Sequence, residues 1–241
     1  MAVNIDNVYQ KVLVLANKEQ RGYITPQEFN LYANQAQLAI FEQYFYDINQ
    51  FGRVQGNENE YGDMLNLLNE KISAFKTEGN LTFVTPNWVL PNTLFRLGTV
   101  WFNSAAALNT RLEVQEVNSD ELQDVINSPL VTPTPQNPVY IQDSNGLTIY
   151  PATINSATYT NPNAVSASWI AFPTVPRWGY VVISEKAMFD PSSTTHFELH
   201  AAEEPELVYK ILKFAGVSMD KDSIMRAGQG MEAAKIQQEK Q

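Results

Sequence analysis

The stretch TPQEFNLYANQAQLAIFEQYFYDINQ, residues 25–50, carries the strongest helix start signal in this chain. Thr25 suits the N-cap, Pro26 the first helical position, and Glu28 the place of a capping-box carboxylate. Apolar side chains then recur at helical spacing in two stripes, so the helix is apolar on more than one side. We therefore predict a helix over 26–50 that is buried between other elements or against a neighbouring subunit.

The second half of this helix contains an aromatic cluster that is large for a chain of 241 residues. It comprises Phe41, Tyr44, Phe45 and Tyr46. Packing in the core is one interpretation of the cluster, and contact with another protein is the second. Phe41, Tyr44 and Phe45 are accordingly predicted as candidate partner-binding residues.

Further helices are predicted at both ends of the chain. Apolar spacing indicates one over about Asp6–Lys18, one over Asp63–Ala74 and one that follows the acidic turn at Glu203 and ends near Gly216. A last helix from about Ser218 has a thin apolar face, which makes it either a frayed tail or a segment ordered by a partner. Its candidate partner-binding residues are Ile224, Met225, Met231 and Ile236.

The middle of the chain changes to a period of two and is rich in proline. The pair Asn145-Gly146 predicts a tight hairpin between its two flanking strands, because such turns need positive φ angles. The candidate strands are Leu81–Val84, Leu94–Phe102, Leu112–Val117, Val139–Gln142, Leu147–Tyr150, Ser166–Phe172 and Gly179–Ser184.

These patterns predict an α+β fold, in which N- and C-terminal helices form a helical bundle around a central proline-rich β-strand region. The predicted organisation is a helical region over 1–80, a β-rich region over 81–200 and C-terminal helices over 201–241. The β-rich region is interpreted as an insertion or extension of the same unit. The last part of the C-terminal region, 217–241, is interpreted as a docking tail.

No residue set in the sequence has the pattern of a catalytic or metal site. The chain has no cysteine, and His196 and His200 lack the HExxH pattern although they are four residues apart. The four tryptophans could form a sugar-binding platform, but their strand-like segments favour core packing. We predict no catalytic residue, no metal and no cofactor, although two acidic residues distant in sequence could still form a hydrolytic pair.

The net charge of −10 opposes binding to nucleic acid. A duplex-binding surface needs a basic stripe, and none is visible, so we predict no DNA-binding residues. No apolar stretch approaches the roughly 18 residues that a membrane span requires, and the N-terminus lacks the pattern of a signal peptide. The expectation is a soluble protein with no membrane partner.

Several stretches resemble virion structural proteins of tailed phages, namely those of the crAss-like group and related marine podoviruses. The resemblance covers both ends of the chain in the same order. It is carried by Gly22–Asn30, Asn34–Gln37, Phe41–Phe45, Trp178–Val182, Pro191–Ser193, Phe197–His200 and Glu203–Leu212.

The resemblance implies a head-to-tail connector, a neck ring protein that docks beneath the portal and surrounds a passage for DNA. Its expected partners are the portal protein, neighbouring copies in a twelvefold ring, and tail or further neck proteins. Its expected location is the virion neck or tail, after assembly in the bacterial host cytoplasm. The alternatives are another virion component, such as a tail or capsid-associated protein, and a virion-borne glycan hydrolase.

Overall fold

A computed structural model of the chain describes residues 2–18, 24–53, 59–104, 110–155, 164–218, 226 and 228–234. The chain divides into two compact units. Unit 1 combines Met1–Ala74 with Pro173–Gln241, and unit 2 is the intervening Phe75–Phe172. The strand-rich region predicted over 81–200 is therefore divided between the two units: residues 81–172 belong to unit 2 and residues 173–200 to unit 1.

The elements of each unit are as follows. The helices are α1 (Ile5–Lys18), α2 (Pro26–Arg53), α3 (Asn59–Ser73), α4 (Leu122–Asn127) and α5 (Glu204–Ser218), with a further helical segment at 228–234. The strands are β1 (Ala2–Val3), β2 (Lys76–Asn80), β3 (Thr82–Val84), β4 (Asn87–Val89), β5 (Leu94–Ser104), β6 (Thr110–Glu116), β7 (Val139–Asp143), β8 (Gly146–Tyr150), β9 (Val165–Ala171), β10 (Tyr180–Ile183), β11 (Lys186–Phe189) and β12 (Phe197–His200).

Helix α2 begins with the capping box that the sequence predicts. The Thr25 backbone N–H donates to Glu28 Oε2 at 2.9 Å, and the Glu28 backbone N–H donates to Thr25 Oγ1 at 3.3 Å. These bonds satisfy two donors that a helix N-terminus would otherwise leave unpaired. The Thr25 backbone N–H, followed by its hydroxyl, holds the pKa of the Glu28 carboxyl below its ordinary value.

Unit 1 is held together by the apolar faces of α1, α2 and α5. Val8 and Val12 of α1, Phe29 of α2, and Leu207 and Ile211 of α5 are all fully buried. Two small antiparallel sheets complete the unit, one pairing β1 with β12 and the other pairing β10 with β11. The core is therefore formed mainly by helices, and the sheet of β1 and β12 adds the buried side chains of Val3, Phe197 and Leu199.

Unit 2 is built on one eight-stranded sheet in the order β2-β9-β5-β6-β7-β8-β4-β3. Every neighbouring pair is antiparallel except β6 with β7. The two edge strands, β2 and β3, are separated in the chain by Leu81 alone, so the sheet curls into a nearly closed barrel. The Leu81 N–H still donates to the Val165 carbonyl at 2.9 Å, which continues the pairing with β9.

The eight-stranded sheet encloses a hydrophobic core of its own. Its largest fully buried side chains include Trp88, Phe102, Leu147 and Ile149. Alternation along the strands brings these residues to one face, as the period of two predicts. Unit 2 therefore has a hydrophobic core that is made of its own residues.

The predicted fold class, a helical bundle around a central proline-rich β-strand region, is wrong. The structure is mixed α/β, and its central segment is a nearly closed eight-stranded sheet with a separate core. Most of the strands were predicted individually. Their pairing was not, because the long-range ladder between β5 and β9 joins segments about 70 residues apart, a relation that local periodicity does not contain.

The hairpin of β7 and β8 lies where Asn145-Gly146 predicts it, but its turn differs. Asp143 pairs with Gly146, so the two connecting residues are Ser144 and Asn145. The positive φ angle falls on Gly146 (129°) and not on Asn145. A Cβ at Gly146 would lie 2.2 Å from the Trp88 carbonyl oxygen of β4. Glycine is thus required for strand contact as well as for the turn.

Replacing Gly146 with alanine should destabilise unit 2 by at least about 2 kcal/mol, because the new Cβ meets a fixed carbonyl and the backbone angle is unfavourable. Urea denaturation followed by tryptophan fluorescence measures the change. Ser144→Ala, in the same turn but with an exposed side chain, is the control and should change stability by less than about 0.5 kcal/mol. Equal midpoints for the two variants would contradict the close approach of β4 and β8.

Candidate interaction surface

The aromatic residues predicted to contact a partner lie largely inside unit 1. Phe41 is fully buried and Tyr44 is 4% exposed. Phe45 is half-buried, with its ring centroid 5.0 Å from that of Phe41, and Lys71 Nζ lies 5.6 Å from the Tyr44 ring centroid. Packing within one copy of the chain therefore accounts for these three residues, which do not form an open surface, whereas Tyr46 of the same cluster is 65% exposed.

Of the four predicted tail residues, Met231 alone falls in the part of the chain that the structure describes. Ile224, Met225 and Ile236 lie outside the described residues. Met231 is 40% exposed on the helical segment 228–234. This segment approaches α5 closely, because a Cβ at Gly228 would lie 3.1 Å from the Tyr209 carbonyl oxygen and from the Lys213 nitrogen. The described part of the tail thus packs against its own chain.

A charged cluster joins the segment 228–234 to α5. Lys210 Nζ lies 2.7 Å from Glu232 Oε1 and 3.4 Å from Glu206 Oε1, and Lys213 Nζ lies 2.8 Å from Glu232 Oε2. Burial alone raises the pKa of the Glu232 carboxyl, but the bonds and charges of Lys210 and Lys213 outweigh it and hold that pKa below its ordinary value. Glu232 therefore stays ionised and bonded at neutral pH.

The residues considered for chemistry have structural roles. The backbone N–H groups of Ile5 and Ala202 donate to Nδ1 of His196 and His200, at 3.4 and 3.3 Å. The segment that ends in His200 is a strand, so four residues separate the imidazoles by roughly 13 Å. That separation is too long for two ligands of one metal ion. No group of three or more His, Asp or Glu within the described ranges could hold a metal ion.

The tryptophans do not form an open sugar-binding platform. Trp88 and Trp178 are buried. The face of Trp101 is covered by the Arg111 guanidinium, 4.0 Å from the ring centroid. The buried carboxylate of Glu203 is paired with Lys71 at 2.6 Å. Trp169 is partly buried against the core of unit 2, so each tryptophan packs within its own unit.

Within the part of the chain that the structure describes, the largest concentration of exposed apolar side chains is the hairpin 180–189, formed by β10 and β11. Val181 (51% exposed) pairs with Met188 (55%), and Ile183 (55%) pairs with Lys186. Paired residues and those two apart share a face of a β-ladder, so these four form one side of the hairpin, called here the outward face. Isolated hairpins are marginally stable in water and leave both edges unpaired, which favours a contact with another surface.

The base of the hairpin is anchored by Trp178, which is 3% exposed. Its indole Nε1–H donates to Asp6 Oδ1 of α1 at 2.9 Å, and its backbone N–H donates to Asn30 Oδ1 of α2 at 2.8 Å. The Trp178 ring lies 4.4 Å from that of Tyr9 and 5.8 Å from those of Tyr180 and Phe189. The side of the hairpin opposite the outward face is therefore fixed at its base, where Tyr180 and Phe189 contact Trp178, whereas Val182 on the same side is 61% exposed.

A second set of bonds closes the hairpin where its two strands meet the rest of unit 1. The Asp190 N–H donates to the Gly179 carbonyl at 2.9 Å, and the Gly179 N–H donates to Thr194 Oγ1 at 3.1 Å. Hydrogen bonds from Ser192 and then Ser193 lower the pKa of the Asp190 carboxyl. A Cβ at Gly179 would lie 2.2 Å from Ser193 Oγ, so glycine is needed at this contact.

A second apolar surface of unit 1 is the groove between α1 and α5. Its volume is about 520 Å³, and its lining is mainly apolar. Val14 and Leu15 contribute from α1, and Pro205, Val208 and Tyr209 contribute from α5. Lys11 at its rim pairs with Glu204 at 2.7 Å. The groove can accept a few apolar side chains that project from another element.

Sequence reasoning predicted β10 but missed β11 and therefore missed the hairpin. Its two-residue turn is formed by Ser184 and Glu185, whose φ angles are 49° and 64°. Turns with two positive φ angles normally use Asn or Gly, so these residues gave no turn signal. The short apolar run Ala187-Met188-Phe189 was the one available indication of a second strand.

Comparison with known proteins gives no family assignment. No protein-family model matches the sequence, and no similar sequence was found among curated proteins. Among the helices in the described ranges, none combines the length and apolar character needed to cross a membrane.

Replacing Ser184 by Asn and Glu185 by Gly should stabilise the hairpin by about 1 kcal/mol, because both new residues adopt positive φ at lower cost. Hydrogen exchange of the β10 and β11 amides should slow about fivefold. Glu185→Ala removes the same carboxylate but keeps the unfavourable angle, so it should give no such gain. Faster exchange in the Asn-Gly variant would contradict the turn geometry.

Acidification should release the segment 228–234 from α5. The folded-state pKa of Glu232 lies below its reference value of 4.5, so its contribution is fully present above about pH 4.5 and is lost as the pH falls through the folded-state pKa. Hydrogen exchange corrected for intrinsic rates should report the release. Glu232→Gln should show it already at pH 7, whereas Glu185→Gln should not. A protected segment in Glu232→Gln would contradict the role of the ion pairs.

Proposed function

We propose that this chain is a structural virion protein, a ring-forming head-to-tail adaptor that docks beneath the portal of a tailed phage and links it to the tail. In this proposal the ring surrounds a passage for DNA and acts by assembly rather than by catalysis. The observation that carries the proposal is a pair of unlike apolar surfaces on unit 1, namely the outward face of the hairpin and the α1–α5 groove.

A cyclic ring requires two different surfaces on each subunit, because every copy meets one neighbour with one surface and the other neighbour with the second. The outward face of the hairpin projects, with Val181, Ile183 and Met188 more than half exposed. The α1–α5 groove is concave and apolar. A projecting and a concave apolar surface on one unit suit head-to-tail self-association.

The positions that resemble phage neck proteins contact one another in unit 1. Asn30 is bonded to Trp178, as described above, and Gln37 accepts from the Glu198 N–H at 3.2 Å. Gln37 also donates to the Thr174 carbonyl at 2.8 Å, and the Thr174 N–H donates to Glu198 Oε2 at 2.9 Å. These residues thus form the scaffold that supports the hairpin.

The charge of the chain suits a channel through which DNA passes. With a net charge of −10 the chain repels phosphate at long range. A passage for DNA requires a surface that repels phosphate rather than one that binds it, because tight phosphate contacts would retain the DNA.

Cryo-EM of tailed particles that contain this chain tests the proposal, with symmetry applied around the tail axis. We expect a ring of density beneath the portal into which unit 1 and unit 2 can each be fitted. Density for the chain elsewhere in the tail or capsid would replace the adaptor function with another virion role. Particles that lack the chain altogether would contradict a structural role in the virion.

A further inference from the structure

The outward face of the hairpin and the α1–α5 groove lie on different flanks of the same helix. Asp6 and Tyr9 of α1 contact Trp178 at the base of the hairpin. Lys11 pairs with Glu204 of α5, and Leu15 lines the groove. At 100° per residue, positions 6 and 9 point to one side of α1 and positions 11 and 15 to the opposite side, while positions 10 and 14, which also line the groove, lie between them. The base of a copy's own hairpin is therefore held on a different flank of α1 from its own groove.

The charges beside the two surfaces are complementary. The hairpin carries Glu185 in its turn and Lys186 on its outward face. The groove carries Lys11 and Glu204 at its rim, and the Lys11 side chain is 57% exposed. A hairpin seated in the groove can place Lys186 beside Glu204 and Glu185 beside Lys11. Such pairing sets the register of a contact whose centre is apolar.

We infer that the outward face of one copy's hairpin packs into the α1–α5 groove of the next copy, with Val181, Ile183 and Met188 as the inserted side chains. The occupant of the groove is thus a second copy of this chain. Repetition of this head-to-tail contact around an axis closes a ring. The inference deepens the proposed adaptor function and rests on it, since ring assembly is what brings many copies together.

Chemical cross-linking tests the contact directly, because the chain has no cysteine and introduced thiols are the sole maleimide targets. The double variant Val14→Cys/Met188→Cys of the full chain is treated with a short bis-maleimide at increasing protein concentration. We expect a ladder of dimers, trimers and higher species. Each single variant should give no species beyond a dimer.

The matched control is Leu67→Cys/Met188→Cys. Leu67 is 51% exposed on α3, similar to Val14 at 58%, but it does not line the groove. It should give no ladder, although a fluorescent maleimide should label both of its thiols. An equal ladder from the control would show non-specific collision and overturn the inference.

A charge placed on the outward face provides an independent measurement. Ile183→Asp should weaken self-association at least tenfold in sedimentation velocity, because the contact would have to bury a carboxylate. Leu67→Asp should leave it unchanged. Circular dichroism and hydrogen exchange of α1 and α5 confirm that both variants are folded.

The outcomes separate this inference from the proposed function. If the chain self-associates but the Val14→Cys/Met188→Cys variant gives no cross-linked ladder, the hairpin-in-groove contact is overturned, whereas the proposed ring-forming function is not. A chain that remains monomeric up to about 1 mM would also overturn the contact, and cryo-EM of the particles would then decide the adaptor function on its own. A ladder in the double variant alone, lost on adding Ile183→Asp, would support the contact.

Discussion

The fixed position of Trp178 is the constraint on which the organisation of unit 1 depends. Its indole N–H and backbone N–H bind side chains on two different helices, α1 and α2. These partners are separated from Trp178 by about 150 to 170 residues of chain. These bonds therefore hold the segment that follows unit 2 against the N-terminal helices α1 and α2. Trp178 also supports the hairpin, because its ring stacks on that of Tyr180.

Buried polar contacts extend this constraint along the returning segment. Gln37 is fully buried, and its side-chain amide bridges the Thr174 carbonyl and the Glu198 N–H. A buried amide is tolerated when its donors and acceptors are paired, and the cost of breaking such pairs favours a single arrangement of the chain. The path from Pro173 to His200 is thus specified by polar bonds as well as by apolar burial.

The sequence allowed accurate prediction where the signal is local. The capping box at Thr25 and Glu28 and the strands at 94–102 and 139–150 depend on neighbouring residues, and they occur where expected. The nearly closed sheet depends on pairing between distant strands, which no local pattern records. The hairpin 180–189 was not predicted because its turn residues, Ser184 and Glu185, have positive φ angles, which Ser and Glu rarely adopt. The groove arises from the packing of α1 against α5, so spacing within either helix could not predict it.

The chain enters and leaves unit 2 at two neighbouring points. The Ala171 N–H donates to the Phe75 carbonyl at 2.9 Å, and β2 pairs with β9 from Lys76 opposite Ile170. Its entry and exit points are therefore about one strand spacing apart, roughly 5 Å. A linker of a few residues could join Ala74 to Pro173 with little loss of chain entropy. Unit 2 is thus an insertion whose two ends are adjacent in space, which is the arrangement that domain insertion and exchange tolerate best.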